Sequence, residues 1–404
     1  MKKIYLHVCM LFIGILGANG QIKLNKTIAD SSNYQSRSLQ IDEINLVSAY
    51  YKQNGNNSAV TGGIGTEKLS DFANTFDLQL SKLNKVGNKN TFLFEIGIDN
   101  YTSASSDKID PSTISSASRS DTRIYPSLNW TQSNEKTGNS FGFTGSFSTE
   151  YDYQSLGAGF NLSRLSKNKN TQFDFKLSAF LDTWKVILPI ELRSPANNGE
   201  GSKSEGSSPR NSFSAAFSLT QVINPKLQAL IMLEPAYQKG LLATKYQRVY
   251  FTDSSLKAEN LPDQRYKLPI AARLNYFATD RVILRAYYRF FMDNWGVRAH
   301  TAEIEIPVKL TSFISVSPFY RYNNQTGARY FAPYGEHAPA AQYYTSDYDL
   351  STLNSNFYGA GIRIAPPNGV FGWQHLNMLE LRYGHYSRST NLMSDIISLN
   401  LKIK

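Results

Sequence analysis

Cysteine is almost missing from this chain, and long apolar runs are missing altogether. The one cysteine, Cys9, lies within the first ten residues, so no disulfide can form within the chain. The apolar stretch at 4–17 is too short for a helical membrane span, which needs about 18–20 residues, and no later segment approaches that length. No phosphate-cradling loop, dinucleotide fingerprint or cysteine pair is present. His300, His337, His375 and His385 show no ligand spacing for a transition metal. These absences exclude a disulfide scaffold, a helical membrane protein and the common nucleotide-dependent enzymes. No cofactor and no nucleic-acid partner is expected.

The start of the chain fits an export signal. Lys2 and Lys3 precede the apolar stretch, and Ala18-Asn19-Gly20 offers a small-residue cleavage site before Gln21. Cys9 sits inside the apolar core, not just after the cleavage site, so this is no lipoprotein pattern. Removing residues 1–20 takes the formal charge from +10 to +8 and removes the cysteine. Residues 21–40 then form an N-terminal periplasmic segment ahead of a single domain at 41–404.

That domain is patterned with period two. Phe141, Phe143 and Phe147 alternate with Gly142, Thr144, Ser146 and Ser148; Val282, Leu284, Ala286, Tyr288, Phe290 and Met292 alternate with Arg281, Arg285, Tyr287, Arg289 and Asp293. Runs this long exceed the roughly 5–6 residues usual in soluble strands and suit a tilted membrane crossing. Strands are predicted at 41–53, 68–83, 91–102, 121–133, 140–152, 154–166, 171–185, 211–222, 226–238, 264–278, 281–293, 299–310, 312–322, 351–364, 375–387 and 394–404. The count is about sixteen, with fourteen or eighteen as alternatives and the stretch around Tyr153 as the weakest point.

The connections sort by length. Tight turns fall at 84–90, 134–139, 166–170, 223–226, 279–280 and 311–312, whereas long polar excursions at 103–121, 188–211, 238–263 and 323–350 fall on the other side of the count. The pattern predicts an all-β transmembrane antiparallel up-and-down barrel with short periplasmic turns, long outer loops and both termini periplasmic. Aromatics at 13% supply its girdles, and a mean hydropathy of −0.36 fits a polar interior. The last strand alternates Ile397, Leu399, Leu401 and Ile403 with polar residues, but it lacks the terminal aromatic that insertion machinery recognises in many such barrels. Outer-membrane lipids and that machinery are the partners expected of any such chain.

If Val282 to Met292 face lipid, then Arg281, Arg285 and Arg289 face the lumen. Arg265, Lys267 and Arg273 join them on one side, and Glu303, Glu305 and Lys309 on the other. The expected register sets Arg289 near Glu303. This wall reads either as an anion-drawing selectivity surface or as a charge network that rigidifies the lumen. Asp347 and Asp349 in the seventh outer loop are weak Ca²⁺ candidates, equally well explained as ordinary loop polarity. The loop aromatics Tyr250, Phe251, Tyr330, Phe331, Tyr334, Tyr343, Tyr344 and Tyr348 suit a plug or docking face.

The penultimate strand places His385 and Ser387 two apart on the face shared by Leu379, Leu381 and Tyr383. The pair resembles the His-x-Ser-Asn arrangement of outer-membrane phospholipase A and the lipid A deacylases. There His385 would act as base and Ser387 as nucleophile. Arg388 stands where that pattern has Asn, and Asp395 or Asn391 are the nearest candidates to orient the histidine. A polar rim explains the same residues.

Several segments together resemble domain-of-unknown-function family 3570, uncharacterised outer-membrane barrels of Gram-negative bacteria: SAVTGGIGTE (58–67), NYTSASSDKID (100–110), QRVYFTD (247–253), DNWGVRAHTAEIEIP (293–307), SPFYRYNNQT (317–326), YFAPYGEH (330–337), YYTSDYDLS (343–351) and LRYGHYSRST (381–390). The resemblance implies an outer-membrane barrel and no established activity. By association it also hints at a lipoprotein or periplasmic redox partner. The overall expectation is a non-enzymatic barrel that passes a small or unfolded cargo or anchors a partner, with a lipid hydrolase using His385 and Ser387 as the alternative.

Overall fold

The computed structural model describes residues 38–84, 87–102, 120–193 and 205–404. The expected signal segment, Cys9 and the loop centres at 103–119 and 194–204 lie outside the described residues. Alternating segments form long strands: β1 (Gln40–Asn54), β2 (Leu69–Leu83), β3 (Asn88–Thr102), β4 (Ser120–Asn134), β5 (Ser140–Thr149), β6 (Tyr153–Leu165), β7 (Thr171–Lys185) and β8 (Ser207–Asn224). There follow β9 (Leu227–Leu233), β10 (Ala236–Gly240), β11 (Arg248–Tyr250), β12 (Leu256–Ala258), β13 (Gln264–Phe277), β14 (Ile283–Asp293), β15 (Arg298–Glu305) and β16 (Val308–Lys309). The last four are β17 (Ile314–Gln325), β18 (Leu353–Ile364), β19 (Leu376–Arg388) and β20 (Leu392–Ile403).

Apart from β11 and β12, the strands build one antiparallel ring in chain order, and β1 closes it on β20 from Ile44↔Ile403 to Asn54↔Met393. β9 and β10 are one stave broken at Pro235, and β15 and β16 one stave broken at Pro307, because proline cannot donate to a ladder. The barrel therefore has sixteen staves. The stretch around Tyr153 resolves into two strands, with Glu150 N–H donating to Tyr153 O at 2.9 Å. β11 and β12 pair only with each other, inside a long loop.

One face of nearly every stave shows large apolar side chains to the surroundings, among them Phe94, Leu128, Phe143, Leu156, Phe217, Ile231, Leu274, Ile362 and Ile397. No water-soluble surface carries a continuous apolar belt of that size, so the exterior is a lipid face. Tyr50, Tyr266 and Tyr322 crown it near the long-loop end, and Trp130, Phe141, Phe173 and Tyr276 lie toward the other.

The short connections, 84–87, 135–139, 166–170, 225–226, 278–282 and 310–313, share one end with the start of β1 and the end of β20. A seventh connection there, 365–375, is longer than the expected pattern. At the opposite end, 55–68 adds a fifth long loop to the four expected, beside 103–119, 186–206, 241–263 and 326–352.

Candidate functional site

The lumen wall is built by strand parity. Arg382 Nη1 donates to Glu305 Oε1 at 3.2 Å although β17 and β18 stand between their strands, a chord that only the concave inner face allows. The expected basic wall is partly neutralised. Arg265 pairs with Asp293 at 2.5 Å, Arg285 with Glu305 at 3.4 Å and Arg321 with Glu303 at 2.5 Å; Arg382 also meets Glu380 at 3.2 Å. Lys267, Arg273, Arg289 and Lys309 have no ion pair among the described residues. A recess of about 350 Å³ lies along this wall between Arg273, Asn275, Arg285, Tyr287, Glu303 and Glu305.

Two expectations for this wall need correction. Arg289 stands opposite Thr301, and Glu303 lies opposite Tyr287 on one side and Arg321 on the other. The turn closes with Asp293 N–H donating to Val297 O at 3.1 Å, which pairs Met292 with Arg298 and moves the register two residues from that assumed. Arg281 lies in the turn before β14, exposed at the short-turn mouth, so it does not line the lumen interior.

Above the wall, loops from opposite sides of the ring meet. Counting staves from β1, the 55–68 loop joins staves one and two, and the 241–263 loop joins nine and ten. Arg248, only 5% exposed, donates from Nη1 to Val60 O at 2.9 Å and from Nε and Nη2 to Glu191 at 2.5 and 3.0 Å. One guanidinium thus ties together the 55–68, 186–206 and 241–263 loops. The 326–352 loop joins by backbone: Asn260 and Tyr344 exchange N–H···O bonds of 3.2 and 2.7 Å, and Thr252 N–H donates to His337 O at 3.0 Å. Gly63, at φ +85°, lets 55–68 pass so close that a Cβ there would stand 2.7 Å from Ser346 O.

All eight loop aromatics singled out from the sequence form ring pairs inside this cap: Tyr250 with Tyr334, Phe251 with Tyr344, Tyr330 with Tyr343, and Phe331 with Tyr348, at 4.5–5.6 Å between centroids. Trp295 joins cap to wall. It is 2% exposed, packs with Ala243, Leu261, Val297 and Ala328, donates from Nε1 to Gln264 O at 3.0 Å, and lies under the Arg265 guanidinium.

The cap holds buried acids. Glu259, 2% exposed, accepts from Thr244 N–H at 2.6 Å and from Thr345 Oγ1 at 2.5 Å; burial pushes its carboxyl up to about 8. Burial likewise raises Glu67 to about 7 and Asp347 to about 6. Asp347 Oδ1 caps the turn at Asp349 N, and Asp349 Oδ1 accepts from Arg388 at 2.6 Å. Both Ca²⁺ candidates are therefore engaged within the protein.

His385 and Ser387 face outward, on the lipid side near the long-loop rim. Asp395, directly across on β20, is the histidine's partner: Nδ1 and Oδ1 are 2.9 Å apart, and Tyr383 Oη donates to the same oxygen at 2.7 Å. Asn391 lies in the turn and makes no such contact. Arg388 has the opposite parity and points inward to Asp349. A recess of about 650 Å³ is also on the outer face, where Ala158, Ala179 and Ala215 leave a gap between Phe160, Tyr237 and Tyr266.

Sequence reasoning missed Arg248, Glu259, Trp295 and the acids of the opposite wall. Only the last left a local signal, the inward parity of Asp71, Asp77, Glu95 and Asp99 on two predicted strands.

No curated protein matches this chain by sequence. Solved structures of similar architecture include a bacterial polysaccharide outer membrane secretin, at 9% identity and TM-score 0.44, covering 89% of this chain and 98% of that one. Others are OpdK of Pseudomonas aeruginosa with vanillate, at 8% identity and TM-score 0.40, covering 89% and 97%, and a BenF-like porin from Pseudomonas fluorescens Pf-5, at 7% and 0.41, covering 89% and 98%. Likeness at this level carries no argument about cargo. A family model matches residues 88–370, and the chain belongs to the family described as "Protein of unknown function (DUF3570)".

Proposed function

We propose that this barrel is an outer-membrane passage for a small or unfolded cargo, with its long-loop mouth governed by the cap. Residues 1–20 would direct export, and the long loops would face outside. The observation that carries the reading is the convergence of loops from opposite staves on Arg248, above a lumen whose wall leaves Lys267, Arg273 and Arg289 without ion pairs among the described residues. A protein that merely anchored a partner at its rim would need neither a charged interior nor loops tied together across its mouth. Ring pairing consumes the loop aromatics, which favours a cap over an aromatic docking face. Ion conductance in planar bilayers tests this: replacing 327–349 by a short Gly-Ser turn is expected to raise conductance. Silence in both forms would instead support an anchor.

A second reading rests on the outward hydrogen bond between His385 and Asp395, with Ser387 on the same face. Asp395 would hold the Nδ1–H tautomer, so that Nε2 accepts the Ser387 proton as Oγ attacks a lipid ester carbonyl and passes it to the leaving alcohol; water, deprotonated by the same Nε2, would then hydrolyse the acyl-serine, freeing the fatty acid and restoring the Oγ proton. Purified protein given phospholipid and lipopolysaccharide is expected to release fatty acid if this holds. Equal release, or none, from wild type and Ser387→Ala removes the idea and leaves a polar girdle.

A further inference from the structure

The lumen carries a second charged wall, of the opposite sign. Asp71 and Asp77 on β2 and Glu95 and Asp99 on β3 all point inward, with Asp77 directly opposite Glu95 in the ladder. None of the four has an ion pair among the described residues, and Asp71 Oδ1 and Asp77 Oδ1 are buried acceptors without a donor. Arg123 stands directly across from Asp99, but its Nε donates to Ser148 Oγ at 2.9 Å and its guanidinium lies over the ring of Tyr125, whose hydroxyl donates to Asp99 Oδ1 at 3.0 Å. Counted around the ring, β2 and β3 are staves two and three, and β13 and β14 are staves ten and eleven. In a ring of sixteen these are diametrically opposed. Carboxylates without an ion pair among the described residues therefore face Lys267, Arg273 and Arg289, which likewise have none, across the lumen, with Glu95 and Arg289 both near mid-strand.

Two such walls set up a transverse field. A net anion is drawn to one side and repelled from the other, and a net cation fares the same. A solute bearing both charges some distance apart satisfies both walls at once. We propose that the lumen selects short zwitterionic peptides, oriented with the carboxylate toward β13–β14 and the ammonium toward β2–β3. Extended peptide spans about 3.3–3.6 Å per residue, so three or four residues hold their terminal charges roughly 10 Å or more apart. This inference rests on the passage reading above.

The test is entry of labelled tetraglycine into proteoliposomes, beside its N-acetyl form (net anion), its C-terminal amide (net cation) and the doubly blocked neutral form. Wild type is expected to admit tetraglycine about tenfold faster than either singly blocked form, the low end of what focused surface charge does to local concentration. Asp77→Asn with Glu95→Gln should abolish that advantage and make the N-acetyl form the fastest. Arg289→Gln with Arg273→Gln should favour the amide. Both variants would first be matched to wild type for unheated gel mobility, so that a failed barrel is recognised. If tetraglycine enters no faster than the doubly blocked form, the passage stands and the zwitterion selectivity falls. If no peptide enters any of the proteins, the passage reading falls with it.

Discussion

Replacing Arg248 by alanine should loosen the cap while leaving the barrel standing. The side chain is 5% exposed and makes two charge-assisted hydrogen bonds to Glu191 and one to Val60 O. The Glu191 side chain is 36% exposed and rehydrates once freed, so losing the ion pair costs nearer about 2 kcal/mol than the larger value of a fully buried pair. The Val60 carbonyl, left without its donor, adds roughly 1 kcal/mol. About 3 kcal/mol corresponds to roughly a hundredfold rise in local opening, at about 1.4 kcal/mol per tenfold. Hydrogen exchange followed by mass spectrometry should report it as faster exchange across 55–68, 186–193 and β11–β12, with β4 to β6 unchanged as internal reference. Exchange within threefold of wild type in those loops would mean that Arg248 does not hold them together, and the cap would lose its keystone.

Other expectations follow from the same contacts. Glu259 ionises near 8 in the folded cap and near 4.5 when exposed, so the folded cap binds the extra proton between those values; its stability is therefore greatest below about pH 4.5 and falls as pH rises through 8. Exchange in 241–263, corrected for intrinsic pH dependence, should rise from pH 5 to 8 in wild type and rise less in Glu259→Gln, where Asp347 and Glu67 still titrate in that range. Trp295→Ala should cost about 3–5 kcal/mol, concentrated in the cap. Proteolysis should then cut 241–263 while unheated gel mobility still reports a closed barrel. At Gly359 a Cβ would stand 2.0 Å from Tyr383 O on the neighbouring strand, so Gly359→Val should break β18–β19 pairing and abolish that folded mobility.

The staves were legible because membrane strands obey one local rule: alternating partners reveal which face each residue takes. Pro235 and Pro307 interrupt ladders without ending staves, so single predicted strands there held. Register was less legible. Placing Arg289 by Glu303 required the geometry of the Asn294-to-Val297 turn, where a shift of two residues preserves parity and so leaves the apolar pattern unchanged. The cap was not legible at all. Arg248, Val60 and Glu191 lie far apart in sequence, and no periodicity links them. The loop aromatics could be singled out by composition, but not their ring partners. Asp395 was one of two candidates beside His385, and the short 389–391 turn decided between them by bringing β20 back in register. The acidic wall was available from parity in β2 and β3. Its meaning needed the ring closed, because opposition across a lumen is a property of the barrel rather than of any strand.

The central claim is a water-filled lumen beneath a cap that controls access to it. In a Cys9→Ser background, a single cysteine at position 289 and another at 288 test it through their modification rates with a membrane-impermeant thiosulfonate applied from the long-loop side. Arg289→Cys is expected to react slowly in the otherwise native protein and markedly faster with Arg248→Ala added, while Tyr288→Cys on the lipid face stays inert in both. Rapid reaction at 288, or a rate at 289 indifferent to Arg248, would contradict it.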